Sequence, residues 1–258
     1  MKPYYENSNG RLFLGNCLEV MLELKDKSVD MILCDLPYGT TACKWDTVIP
    51  FEPLWVQYKR LIKDNGAIVL TASQPFTSAL VMSNPGWFKY EWIWEKEQGS
   101  MPMNAPYQPI KVHEQALVFS GAAATYSTKS NMNYFPLKTV GSPYRASQRK
   151  SGNIVFHSNP SGDHFNDNPG ERYPKSVLRM NTERGLHPTQ KPVALFSYLI
   201  RTYTNEGDTV LDNCAGSGTT GIACIRTNRN YILIEKEQKY VDIINKRIEA
   251  EKKQIKMF

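Results

Sequence analysis

Cysteine is scarce and poorly placed for cross-linking. Five occur in 258 residues, Cys17, Cys34, Cys43, Cys214 and Cys224, an odd number with no Cys-x-x-Cys pair. A disulfide framework is therefore not the organising device, and zinc has no scaffold of its usual ligand spacing. Cys34, Cys214 and Cys224 lie in apolar stretches, where cysteine serves as a small buried hydrophobe. Long apolar runs are missing as well, and none approaches the ~18 residues of a membrane-spanning helix. The opening segment Met1 to Asn7 lacks the apolar core of a secretory signal. There is no internal repeat and no low-complexity tract. These absences point to a cytoplasmic globular protein with no membrane partner and no metal.

What is present is an ordinary globular composition, 41% hydrophobic and 22% charged, in a chain long enough for one large core or two small ones. The net charge of +6 is unevenly spread. Residues 121–186 carry nine cations, Lys129, Lys138, Arg145, Arg149, Lys150, Arg172, Lys175, Arg179 and Arg184, against four acids, Asp163, Asp167, Glu171 and Glu183. The excess of +5 leaves only +1 for the rest of the chain. Tyr126, Tyr134, Phe135, Tyr144, Phe156, Phe165 and Tyr173 are interleaved with these cations. Cations among aromatics suit phosphate contacts and base stacking, while the same composition also describes a long solvated loop. An insert of this length without regular periodicity is unusual in a compact domain unless it is functional.

Outside this segment, apolar runs alternate with helical spacing. Strands are predicted at 29–34, 67–71, 90–94, 115–119, 209–212 and 231–235. Helices are predicted at 53–63, at 75–83, from Pro192 until Gly207 stops it, after the glycine turn, and through Tyr240, Val241, Ile244 and Ile248. Strands alternating with helices imply an α/β, doubly wound, mostly parallel sheet, whose ligands sit beyond the carboxyl ends of the strands.

Three of those strand ends carry chemistry. The turn Asp212-Asn213-Cys214-Ala215-Gly216-Ser217-Gly218-Thr219-Thr220 follows a strand and opens a helix. Its glycines let backbone approach a ligand, and the helix start favours an anion. It lacks the Gly-Lys-Ser/Thr of a P-loop and the third glycine of a dinucleotide turn. The next strand ends in Glu235, an acid placed to accept both ribose hydroxyls, so an adenosine-type ligand is implied; a structural turn beside a chance acid is the plainer alternative. At the third end, Asp35-Leu36-Pro37-Tyr38-Gly39 closes a buried strand. Pro37 stiffens the turn, so the Asp35 carboxylate and the Leu36 carbonyl form two acceptors on one frame, with Tyr38 as an aromatic plane. Two acceptors match the two N–H donors of an exocyclic amino group, though an ordinary Asp-x-Pro turn has the same sequence.

Together these segments resemble the S-adenosylmethionine-dependent amino DNA methyltransferases. Asp35 to Gly39 is similar to their Asp-Pro-Pro-Tyr turn, and Asp212 to Thr220 to their Asp-Pro-Phe-x-Gly-Ser-Gly-Thr-Thr loop. His187-Pro188-Thr189-Gln190-Lys191-Pro192 resembles the segment preceding their cofactor strand, and Leu14 to Glu19 their Gly-Asp-Cys-Leu-Glu turn. Catalytic turn first, basic segment second and cofactor loop last is the order of the β class. The resemblance implies a Rossmann-like methyltransferase fold with a catalytic half at 1–120, a target-recognition insert at 121–186 and a cofactor-binding half at 187–258.

It further implies that Asp35, Leu36, Pro37 and Tyr38 form the catalytic turn that takes the amino group of a flipped base in double-stranded DNA. Asn16, Asp35, Lys191, Asp212, Cys214, Gly216, Gly218, Thr219, Thr220 and Glu235 would serve S-adenosylmethionine, with Lys191 and its loop closing over it. Lys129, Lys138, Arg145, Arg149, Lys150, Arg172, Lys175 and Arg179 would contact DNA. Relatives with Asp in the turn usually methylate adenine N6 and those with Ser usually cytosine N4, so Asp35 favours adenine. Restriction-modification and a homodimer are expectations of the family. Three departures stand out: Leu36 for the first Pro, Asn16 for Asp, and Asn213-Cys214 for Pro-Phe. Leu36 and Asn16 keep open an impaired DNA-binding relative; cytosine N4 and RNA also stay open as targets, while the motif order argues against a protein amide. Among the histidines, His187 belongs to the recognised loop, His113 starts a strand beside Glu114, and His157 and His164 lie in the insert.

Overall fold

Alternate side chains of the central strands feed two separate cores. In the strand Val29–Asp35, Met31 and Leu33 join one buried cluster while Ile32 and Cys34 join the other. A strand buried on both faces reads as a continuous apolar run, which is why 29–34 stands out in the sequence. The computed structural model describes residues 2–40, 46–100, 102–125, 130–147, 165–183 and 190–255. These fall into two compact units, 1–135 with 176–258, and 136–175.

In chain order the strands are β1 (Tyr5–Asn7), β2 (Gly10–Leu14), β3 (Val29–Asp35), β4 (Ile62–Ala72), β5 (Phe88–Ser100), β6 (Lys111–Phe119), β7 (Thr139–Val140), β8 (Tyr144–Ser147), β9 (Phe165–Asn168), β10 (Glu171–Arg172), β11 (Val177–Arg179), β12 (Thr209–Asp212) and β13 (Asn230–Glu235). The helices are α1 (Cys17–Leu22), α2 (Phe51–Leu61), α3 (Phe76–Ser83), α4 (Val193–Tyr203), α5 (Thr219–Arg226) and α6 (Gln238–Ile255).

The larger unit is built on a nine-stranded sheet of order β1-β2-β13-β12-β3-β4-β6-β5-β11. From β2 to β4 every neighbouring pair is parallel; β6 runs antiparallel to both β4 and β5. Helices α1, α2 and α3 cover one face through Val20, Tyr58 and Leu80, and α4, α5 and α6 cover the other through Phe196, Ile222 and Ile244. The predicted α/β, doubly wound, mostly parallel sheet is thus present, with an antiparallel margin.

Three expectations need correction. The helix from Pro192 ends at Tyr203, before Gly207, because Thr204 turns extended and its hydroxyl donates to the Ile200 carbonyl. Strands β5 and β6 run well past 90–94 and 115–119, to Ser100 and back to Lys111. Residues 121–186 are not one body: Ala122, Met132 and Leu178 belong to the main core, and β11 adds to the sheet beside β5. The smaller unit holds two antiparallel pairs, β7 with β10 and β8 with β9. No helix among the described residues is long and apolar enough to cross a membrane.

Candidate active site

The carboxyl ends of β3, β12 and β13 deliver Asp35, Asp212 and Glu235 to one cavity of about 370 Å³, within the usual range for a small-molecule site. Asp35 and Gly216 both line it, as do Asn16, Leu36, Pro37, Tyr38, Lys191, Cys214, Thr219 and Phe196. Gly218 and Thr220, expected at the cofactor, do not line it. Gly218 shapes the backbone instead. It sits at φ +83° before α5, and an added Cβ would meet Ile244 at 3.0 Å.

Thr220 ties the loop down by donating its hydroxyl to Asp212, which also accepts from the Cys214 amide at 3.0 Å. Burial pushes the Asp212 carboxyl up to about 6, against the pull of those bonds. Asp212 is therefore a strut of the turn. The neighbouring Asn213 is held by the Tyr58 hydroxyl at 2.6 Å, a tether from α2 that the sequence does not announce.

Glu235 is fixed by main chain. One oxygen accepts from the Gly216 amide at 2.8 Å, and the other from the Lys236 and Glu237 amides at 2.9 and 3.0 Å. Burial raises its pKa and those amide bonds oppose the rise. A carboxylate offers roughly four acceptor positions, so about one remains, enough for one ribose hydroxyl rather than the expected two. Asn16 caps α1 by accepting from the Leu18 amide at 3.0 Å, and the Gly15 amide bonds the Glu235 carbonyl at 2.9 Å.

At the other end of the cavity, Asp35 is densely engaged. It accepts from the Tyr38 hydroxyl at 2.8 Å, from Thr71 of β4, and from Lys191 Nζ at 2.7 Å. Lys191 is only 5% exposed and also faces Glu114 of β6 at 3.4 Å, which in turn pairs with Lys96 of β5. Burial pulls the Lys191 pKa down, but Asp35 and Glu114 together overcome it and leave it raised. Burial pushes Glu114 up, and Lys191 with Lys96 overcome that and leave it lowered. Both groups are charged at neutral pH. Lys191, expected to close over the cofactor, is thus anchored at the catalytic turn.

Burial, with the charges of Asp35 and Glu114, drives the Tyr38 pKa well up, so its hydroxyl stays a donor. Its ring stacks on Phe76 of α3 with centroids 5.0 Å apart. Phe76, Thr71, Glu114 and Lys96 are site residues that sequence reasoning missed. Cys17, Cys34 and Cys224 are buried and Cys214 half-buried, all as free thiols. Burial pushes Cys34 up to about 12, so it is no thiolate nucleophile. Cys43 lies outside the described residues, and among those described no His, Cys, Asp and Glu cluster is placed to hold a metal.

Among the described residues, four of the five cations expected at DNA are engaged. Lys138 pairs with Glu171 at 2.6 Å and lies over the Tyr173 ring. Arg145 pairs with Asp167 at 3.4 Å, and Arg179 of the main sheet with Glu95 at 2.7 Å. Arg172 donates to the Ser142 carbonyl and lies over Tyr144. Lys175 is exposed. Exposed pairs of this kind contribute little and exchange readily. Lys129, Arg149, Lys150, His157, His164 and His187 lie outside the described residues, and His113 sits in β6 opposite Glu95.

A main-chain-held strand-end acid beside a glycine turn shares one cavity with the Asp35 turn, an arrangement that suits a group transferase joining an adenosine-type donor to an amino acceptor. The comparisons agree on which one. The chain belongs to the N6/N4 DNA methylase family, whose profile matches residues 29–246. It is 29% identical to the type II methyltransferase M2.MboI of Moraxella bovis, over 96% of this chain and 91% of that protein. It is 28% identical to M.HpaI of Haemophilus parainfluenzae, over 93% and 74%.

Among solved structures, an M1.HpyAVI–S-adenosylmethionine complex superposes with a TM-score of 0.61 at 26% identity, covering 92% of this chain and 99% of that one. PvuII DNA methyltransferase, described as cytosine-N4-specific, shares the fold with a TM-score of 0.66 at 16% identity, over 98% and 95%. S-adenosylmethionine is the cofactor, and the cavity fits it: Glu235 keeps a free acceptor position, Phe196 supplies an apolar wall, and α5 presents its amino end through Ser217 and Thr219.

Proposed function

We propose that this protein methylates adenine N6 in double-stranded DNA, on a base swung out of the helix, as the modification partner of a restriction system. The observation that carries the reading is that Asp35 and Gly216 line one cavity, which supports a shared site for the amino acceptor and the donor. Glu235 and Asn16 would hold the nucleoside end of the cofactor, while Gly216, Thr219 and the start of α5 would hold its methionine end. Bound there, S-adenosylmethionine supplies an electrophilic sulfonium methyl group.

The remaining chemistry belongs to the chain. The Asp35 carboxylate and the Leu36 carbonyl accept the two N–H bonds of the target amino group. This draws the nitrogen toward tetrahedral geometry and frees a lone pair otherwise delocalised into the ring. Tyr38, braced by Phe76, offers its plane to the base. Asp35 accepts from Tyr38, Thr71 and Lys191, so by the count used for Glu235 about one acceptor position remains for the amino group while Lys191 stays in place. After transfer, the amino proton leaves along its hydrogen bond to Asp35. Lys138, Arg145, Arg172 and Arg179 would trade their present partners for phosphates, and Lys175, Lys129, Arg149 and Lys150 would contact phosphates as well.

The test is transfer of labelled methyl to DNA by purified protein, followed by nucleoside chromatography. The expected product is N6-methyladenine, and Asp35→Ala should lower the rate by at least about 100-fold. N4-methylcytosine as the product would correct the target base. No transfer to any DNA, with Asp35→Ala matching wild type, would remove the enzymatic reading.

A further inference from the structure

Asp35, Thr71, Ala116 and Trp92 form one row across β3, β4, β6 and β5. Beyond that row β3 and β4 stop, but β5 and β6 continue as a ribbon to Ser100 and Lys111, with β11 beside β5 only as far as Glu95. β5 runs parallel to β3 and β4, so the ribbon projects from the edge that carries Asp35. At ~3.4 Å per residue from Ala116 to Lys111, it reaches roughly 17 Å past the row. Its tip exposes Met103 at 89% and Tyr107 at 90%, with Ile110 and Val112 partly exposed behind them. Residues 101–110 contain no charged side chain. A tip meant for phosphates would carry cations, and a merely solvated tip has no need of two large apolar side chains held clear of the protein.

Resting on the DNA methylation reading above, we propose that Met103 and Tyr107 form a wedge that enters the DNA stack where the target base has left it. Extrusion leaves a gap in the duplex and costs unstacking energy. An apolar side chain filling the gap recovers contact, and an aromatic ring can stack on the flanking bases. The tip is built in advance for such a role. Pro102–Asn104 forms a 3-10 turn, the Ala105 amide bonds the Pro102 carbonyl, and the Tyr107 and Gln108 amides bond the Asn104 carbonyl at 2.9 and 3.0 Å. Pro102, Pro106 and Pro109 restrict the backbone further. At the base of the tip, Gly99 lets Ile110 lie against the opposite strand, where a Cβ would come within 1.9 Å. Little ordering remains to be done on binding.

The experiment uses the full chain and a synthetic duplex carrying the site found methylated in cells that express it. One version is fully paired, and the other places an abasic site opposite the target base, so that extrusion is already easy. Met103→Ala/Tyr107→Ala should lower kcat/KM on the paired duplex by about 10- to 100-fold and stay within about threefold of wild type on the abasic duplex. Tyr107→Trp should retain activity on both. Calorimetric binding of S-adenosylmethionine should be unchanged, since the substitutions lie outside the cavity. Equal losses on both duplexes, or no loss on the paired one, overturn the wedge. So does a wild-type dimer, seen by sedimentation, that the double variant dissociates, because the tip is then a contact between copies. A wild type that methylates neither duplex overturns the functional reading itself, and the wedge with it.

Discussion

Replacing Lys191 by Met keeps an unbranched side chain one atom shorter and removes the charge from between two carboxylates. Its Nζ lies 2.7 Å from Asp35 and 3.4 Å from Glu114. At an effective dielectric of about 20, those separations correspond to about 6 and about 5 kcal/mol of attraction. Much of that attraction offsets the cost of burying the three charges. The net loss expected on breaking such a buried cluster is about 3–5 kcal/mol. Glu114 keeps Lys96, whereas Asp35 keeps only the Thr71 and Tyr38 hydroxyls, so the damage concentrates at the catalytic turn.

The pH dependence is the sharper signature. Folding lowers Glu114 from its ordinary 4.5, so its contribution is present above that value and is lost as pH falls through the folded value. Folding raises Lys191 from its ordinary 10.5, so its contribution is present below that value and is lost as pH rises through the folded one. Urea unfolding of wild type and Lys191→Met should therefore differ by a constant amount from about pH 5.5 to 9, and the difference should narrow as pH falls below 4.5. A difference under about 1 kcal/mol at pH 7, or one that does not shrink in acid, would show that the buried cluster does not hold the turn.

Two further perturbations probe the glycine turn. Asp212 is raised from 3.8 to about 6, so ionising it costs stability: its own penalty is absent below 3.8 and reaches about 3 kcal/mol once pH has risen through 6. Asp212→Asn should remove that slope, gaining on wild type between pH 4 and 7 in thermal melts; parallel melting curves would contradict the raised value. Gly218→Ala places a side chain at φ +83° against Ile244 and should cost about 1–2 kcal/mol in denaturant titration. Affinity for S-adenosylmethionine should hardly move, because Gly218 does not line the cavity, and a large affinity loss with intact stability would return it to the cofactor site.

The parts of the site legible in the sequence are those that depend on local order. Asp35 ends a doubly buried strand, Gly216 and Glu235 sit at consecutive strand ends, and each is marked by the residues beside it. Glu114 carries no such mark. It reaches Lys191 only because β6 lies antiparallel against β4, two places from β3 in the sheet. Thr71 and Phe76 are likewise brought in by registry and by the packing of α3. The ribbon was invisible for another reason. Glu95, Lys96, Glu97 and Gln98 are four polar residues in a row, Glu95 and Lys96 held by ion pairs and Glu97 and Gln98 exposed, so the alternation that betrays a strand fades. Gly207 misled because a glycine need not be the stop when a threonine four residues after Ile200 can close the helix itself.

The carboxylate at the end of β13 is gripped by three peptide nitrogens, and every residue except proline offers one. A contact of that kind is blind to side-chain identity. Substitutions along the glycine turn can accumulate without disturbing it, as long as the path of the backbone is kept. That is how Asn213 and Cys214 can stand where relatives carry proline and phenylalanine while the acid at the strand end stays in position.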